Sequence, residues 1–115
     1  VDRTPTLIFD EVDTGVGGRN AQVLGEKLSG LGDRHQVFCV THLPQVAAYA
    51  DGHVFLAKHV ADGRTSTEAN TLNEAGRVDE LAQMLGGTTP ATLAQARELV
   101  DRATTWKRAT RSPAA

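Results

Sequence analysis

Two short apolar runs limit how this chain can be built. Leu7, Ile8 and Phe9 stop abruptly at Asp10 and Glu11, and Val37, Phe38, Cys39 and Val40 run through Thr41 into His42. Each run is too short for a buried helix and suits a strand buried on both faces of a parallel sheet. Between them, Ala21, Leu24, Leu28 and Leu31 recur at helical spacing on one face. Strand, helix, strand makes a right-handed crossover unit, in which both strands point the same way. Their carboxyl ends then open on one edge of the sheet, where open α/β sheets place their ligands. Asp10, Glu11 and His42 are expected to converge there.

The remainder reads as a sequence of local signals. Pro44 suits the first turn of a helix, where its missing N–H costs nothing; that helix is expected to run through Val46, Ala47 and Tyr49 to Asp51-Gly52. Residues 53–60 and 64–72 alternate like strands around Asp62-Gly63, a strong hairpin signal. The polar second arm, with Thr65, Ser66, Thr67 and Glu68, suits an exposed edge strand. Residues 73–77 are expected to form a turn. Val78, Leu81, Ala82 and Leu85 then mark an amphipathic helix stopped by Gly86-Gly87. Thr89-Pro90 opens a last helix through Leu93, Ala96, Val100 and Ala103. Residues 110–115 are expected to fray.

At 115 residues the chain is one domain, and a domain of this size buries roughly two thirds of its unfolded surface, enough for one sheet covered by helices. With a net charge of -2, the segment as a whole offers no electrostatic case for binding nucleic acid. No apolar stretch approaches the ~20 residues of a membrane span, and no signal peptide is visible at the start. Cys39 is the only cysteine, so it is expected as a reduced, buried thiol in a cytoplasmic protein. His35, His53 and His59 are too irregularly spaced, without a second cysteine, to suggest zinc. Arg102, Lys107, Arg108 and Arg111 gather near the end of the last helix, either complementing its dipole or touching DNA.

Adjacent carboxylates at a strand end can divide two tasks. One holds a hydrated Mg²⁺ and the other orients a water for attack on a phosphate. With these residues in place, the chain resembles the ABC-type ATPases, the superfamily that includes the SMC proteins. Asp10-Glu11 is similar to a Walker B motif with its catalytic glutamate, and His42 to the switch histidine. The stretches at residues 8–15, 40–47 and 81–87 resemble the head of the RecN family, bacterial SMC-like proteins of DNA double-strand-break repair.

That resemblance implies an α/β fold, the carboxyl-terminal half of a P-loop (ABC/SMC-type) ATPase head. It comprises parallel strands with crossover helices, an edge β-hairpin and carboxyl-terminal helices, all within residues 1–115. It implies ATP and Mg²⁺ as cofactors. Asp10 takes the metal through water, Glu11 polarises the attacking water, His42 contacts the γ-phosphate and Gln45 supports it. Asp13 with the following glycines resembles the D-loop at the head–head interface, although family members often carry an aspartate where Gly17 stands here. Implied partners are the missing amino-terminal half of the head, a second head across sandwiched ATP, and double-strand DNA ends. Implied localisation is cytoplasmic and nucleoid-associated. No Gly-x-x-x-x-Gly-Lys-Ser/Thr loop and no signature motif occur in the chain, so a piece cut from a longer protein is expected. Two other readings remain: a metal-dependent nuclease or topoisomerase-like domain, which leaves His42 unexplained, and a non-catalytic interaction module.

Overall fold

A computed structural model describes residues 5–11 and 14–111. Strand β1 (Thr6–Asp10), helix α1 (Gly18–Leu31) and strand β2 (Gln36–Val40) come first. Helix α2 (Pro44–Ala47), strands β3 (Val54–Ala61) and β4 (Arg64–Thr71), and helices α3 (Glu74–Met84) and α4 (Pro90–Arg111) follow. The chain is a mixed α/β structure with two small sheets.

β1 and β2 pair in parallel, with Thr6 opposite Gln36 and Asp10 opposite Val40. Because side chains alternate along a strand, Leu7, Phe9, Val37 and Cys39 share one face and are partly buried. Phe9, Val37 and Cys39 pack with Leu24 and Leu43 around Ala21, Leu28 and Val46. The other face carries Ile8, Phe38 and Val40, which are 73%, 51% and 52% exposed. Burial on both faces, as the apolar runs suggest, is therefore not achieved in this chain. The single crossover helix covers one side of a two-stranded sheet. For the same reason Cys39 is only partly buried.

The hairpin turn is as expected. Asp62 and Gly63 both adopt positive φ, 52° and 74°, the backbone that matches the right-handed twist of the flanking strands. β3 and β4 form an antiparallel sheet of their own rather than an edge of the parallel one. Val54, Leu56 and Val60 lie on one face of it, 53%, 59% and 75% exposed.

The second core is helical. Val78, Leu81 and Ala82 of α3 meet Ala96 and Ala103 of α4 and Ala47, Ala48 and Tyr49 at the end of α2. Tyr49 and Trp106 pack edge to face, with ring centroids 5.7 Å apart. α3 begins where a turn was expected, because Asn73 caps it, its side chain accepting a hydrogen bond from Gly76 N at 2.8 Å. Thr89 caps α4 as anticipated, with Thr92 N donating to Thr89 Oγ1 at 3.1 Å. α4 does not fray from Thr110. It continues through Arg111, since Thr110 Oγ1 bonds Trp106 O and the Arg111 guanidinium reaches back to α1. The rest of the expected frayed tail, residues 112–115, lies outside the described residues.

Candidate active site

The carboxyl edge of the parallel sheet is built by register. Asp10 ends β1 opposite Val40, the last residue of β2. The next amide extends the ladder by one bond, Glu11 N donating to Val40 O at 3.3 Å. His42, exposed, follows two residues after Val40. Asp10, Glu11 and His42 therefore stand at the same edge. The parallel pairing, which the crossover pattern demands, is what brings them there.

Glu11 has a φ of 54°. For a residue with a β-carbon this left-handed conformation costs roughly 1–3 kcal/mol, and such outliers cluster at functional sites. It is held by the turn that follows: Thr14 N and Thr14 Oγ1 donate to Glu11 O at 3.3 and 2.9 Å. Asp13 lies outside the described residues. Gly15, just after it, has a positive φ of 78°, whereas Gly17 is the extended N-cap of α1.

Gln45, the fourth residue singled out by sequence, sits on α2. It lines a cleft of about 330 Å³ with Gly18, Gln22, Tyr49 and Arg102. A larger, shallow depression of about 450 Å³, at Lys27, Leu31, Arg34 and His35, lies just ahead of β2. That is the opposite end of the strand from His42.

The turn carrying His42 is fixed on both sides. Leu43 N donates to Thr41 Oγ1 at 3.0 Å, and Pro44 starts α2. α2 ends at Ala47, short of the expected Asp51. The backbone bonds tighten to three-residue spacing, with Tyr49 N donating to Val46 O and Ala50 N to Ala47 O, both at 3.1 Å, and side chains bond the carbonyls around its end. Arg77 Nη2 donates to the carbonyls of Ala47, Ala48 and Ala50 at 3.1, 2.9 and 2.5 Å. Lys107 Nζ adds a bond to Ala50 O at 2.9 Å and one to Asp51 Oδ1 at 3.0 Å. Arg111 joins Asp51 Oδ1 at 2.9 Å and reaches both the carbonyl and hydroxyl of Ser29 in α1 at 2.7 Å. Burial would raise the Asp51 carboxyl, but hydrogen bonds from Arg111 and Lys107 outweigh it and hold its pKa down. Burial holds the Lys107 ammonium below its usual range, against the opposing pull of Asp51. His53 is likewise held down, first by burial and then by the Arg77 charge.

This network was missed from sequence, where Lys107 and Arg111 counted toward a basic patch. Arg102 is also engaged, pairing with Glu98 at 2.9 Å. The signal lay in the periodicity: positions 96, 100, 103, 107 and 111 form one continuous helical stripe, so its last two members point inward too.

No protein-family model matches the chain. Curated relatives do. The DNA repair protein RecN of Xylella fastidiosa is 51% identical over 87 residues, 76% of this chain and 16% of that protein. RecN of Vibrio cholerae is 50% identical over 99 residues, 84% of this chain and 18% of that protein. RecN of Bacillus subtilis is 47% identical over 100 residues, 85% and 17% respectively. The chain thus spans about one sixth of the length of the relatives it matches. Identity at this level across most of the chain places it in the RecN family.

Proposed function

We propose that the chain is the carboxyl-terminal lobe of an ATP-binding and hydrolysing P-loop head, within a RecN-type protein of DNA double-strand-break repair. The observation that carries this reading is the sheet edge. The backbones of Asp10 and Glu11 after one parallel strand, and of His42 after the other, stand at that edge, with Glu11 in a left-handed conformation. The RecN relatives are DNA repair proteins, which suggests the same process for this chain. The uncovered sheet face with Ile8, Phe38 and Val40 fits a sheet that further strands and helices of a longer protein complete.

Roles follow from the chemistry of each group. Asp10, exposed at the edge, offers a hard carboxylate oxygen, which suits Mg²⁺ because that ion keeps most of its water and takes few protein ligands. Bound there, Mg²⁺ supplies positive charge to the phosphate oxygens. Glu11 accepts a hydrogen bond from the attacking water and orients it toward the γ-phosphate. His42 donates a hydrogen bond to a γ-phosphate oxygen as charge builds on it. Gln45, at the start of α2, supports the placement of His42. Phosphate cradling by backbone N–H groups and a lysine comes from a loop this chain does not contain. A second head across the nucleotide and DNA ends are the partners this function requires.

The test is Glu11→Gln in the full-length protein. The amide keeps the shape but loses the charge, so turnover should fall by roughly 10²–10⁴-fold while ATP still binds. Asp10→Asn should weaken Mg²⁺-dependent binding as well as turnover. A Glu11→Gln protein that hydrolyses ATP within a few-fold of the parent rate rules the assignment out.

A further inference from the structure

We infer that Arg77 is the positioning residue for His42: by holding the carbonyls at one end of α2 it fixes the histidine at the other. The inference rests on the reading of His42 as a γ-phosphate contact.

α2 has four residues, a single turn, far below the length at which a helix persists by itself. The last carbonyls of a helix have no partner within it. Here one guanidinium nitrogen, Nη2, reaches the carbonyl of Ala47, the last residue of α2, and those of Ala48 and Ala50 just beyond it, sharing its two hydrogens among the three. Ala47 O also accepts from Ala50 N at 3.1 Å. The positive charge also suits the negative end of the peptide dipoles. Arg77 lies in the first turn of α3, where its backbone N donates to the carbonyl of the capping Asn73 at 2.9 Å. Its buried Nε has no hydrogen-bond partner among the described residues, so the guanidinium is tied through Nη2.

The apolar anchors of this segment point two ways. Val46 enters the core beneath the parallel sheet, while Ala47, Ala48 and Tyr49 enter the α3–α4 core. Rolling of α2 between those cores is the soft motion left by apolar packing, which is non-directional. Hydrogen bonds to Ala47 at its end and to Ala48 and Ala50 just beyond it are directional and oppose that roll. At the other end, the Thr41 hydroxyl and Pro44 bracket His42, so any roll of α2 is passed to the histidine two residues before it. Lysine is only a partial substitute: its ammonium can donate to the same carbonyls, but it is a compact, strongly hydrated charge on a flexible stem.

The experiment uses the full-length protein with Arg77→Met, Arg77→Lys, His42→Ala and the Arg77→Met/His42→Ala double variant. Arg77→Met should lower turnover at saturating ATP by roughly ten- to a hundredfold, the penalty of a misplaced group. KM for ATP and affinity for ADP should move less than about threefold, since the lost interaction belongs to the transition state. Arg77→Lys should restore part of the rate. It also serves as the folded comparison if Arg77→Met does not fold. The double variant should be no slower than His42→Ala alone, and amide hydrogen exchange at residues 46–50 should quicken in Arg77→Met while α4 is unchanged.

Unchanged turnover per folded molecule in Arg77→Met, or a double variant in which the two losses multiply, overturns the positioning role. If His42→Ala alone leaves turnover intact, the γ-phosphate assignment falls and positioning falls with it. Faster exchange at residues 46–50 would then mark Arg77 as a structural clamp only.

Discussion

Leu81 in α3 and Ile8 in β1 are isomeric side chains of equal apolar character. Leu81 is completely buried, whereas Ile8 leaves 73% of its surface in water. The difference lies in what covers them. α2, α3 and α4 bring all the layers of one core with them, and small residues (Ala82, Ala96 and Ala103) let the helices approach closely. The β1–α1–β2 unit brings a layer for one sheet face only. The catalytic candidates stand on this half, whose second sheet face is uncovered in the chain. α2 joins the two halves, with Val46 in one core and Ala47, and Ala48 and Tyr49 just after it, in the other, and polar bonds from Arg77 are added at its end.

The comparison can be broken most directly at the closed half. Leu81→Ala should cost this chain about 2–5 kcal/mol, the range for buried leucines that leave a cavity, read by chemical denaturation with an unchanged slope. A loss below about 1 kcal/mol would mean the helices do not form a complete core. Next in size is the seam. A β-carbon on Gly25 would sit 2.7 Å from the Tyr49 ring and 3.1 Å from Gln45 O, too close without movement of α1 against α2. Gly25→Ala should therefore cost about 1–3 kcal/mol from overpacking, opposed by up to about 1 kcal/mol of helix propensity. A net gain in stability would show that the seam is loose.

How far these halves could be read in the amino-acid sequence depended on the range of the interaction. The α1 stripe at Ala21, Leu24 and Leu28, the Asp62-Gly63 hairpin turn and the Thr89 cap are local and legible, although Leu31, the expected last member of the stripe, is 38% exposed. The common edge of Asp10, Glu11 and His42 follows from parallel pairing, also foreseeable from a crossover pattern. The bare face of β1 and β2 was not legible, because an apolar run looks the same whether its cover belongs to the same chain or another segment. The short α2 was illegible for a different reason: Arg77 lies 27 residues beyond Ala50 in the chain, and no local spacing announces that pair. Asn73 was readable in principle, as a capping residue just before Glu74, but the apolar stripe from Val78 drew the helix start too late.

The polar seam also predicts a pH effect, smaller because Asp51 is 66% exposed. Its folded pKa is lowered from the ordinary 3.8, since hydrogen bonds from Arg111 and Lys107 outweigh its burial. A depressed carboxyl contributes stability that is fully present above the unfolded pKa and is lost as pH falls through the folded one. Melting temperature should therefore drop more steeply below pH ~4 in the parent than in Asp51→Asn, which has no carboxyl to protonate. Identical acid profiles for the two proteins would show that the pairing of Asp51 with Lys107 and Arg111 of α4 adds nothing to the fold.

Ile8 on the bare sheet face separates this chain from the full-length protein. Ile8→Thr keeps a β-branched residue in β1, so strand preference is nearly unchanged. It removes apolar surface that is already in water, and the new hydroxyl stays hydrated. In this chain alone the change should lie within about ±0.5 kcal/mol, as for other surface substitutions. In the full-length protein the same substitution meets whatever packs on that face, and it should cost about 1–3 kcal/mol for the lost burial and the desolvated hydroxyl. Denaturation midpoints of both proteins, each with and without the substitution, give the contrast. Equal and negligible costs would mean the face stays bare in the whole protein, removing the support it lends to a sheet completed from outside. Equal and large costs would mean that Ile8 is packed within this chain, and the distinction between the open and closed halves would not stand.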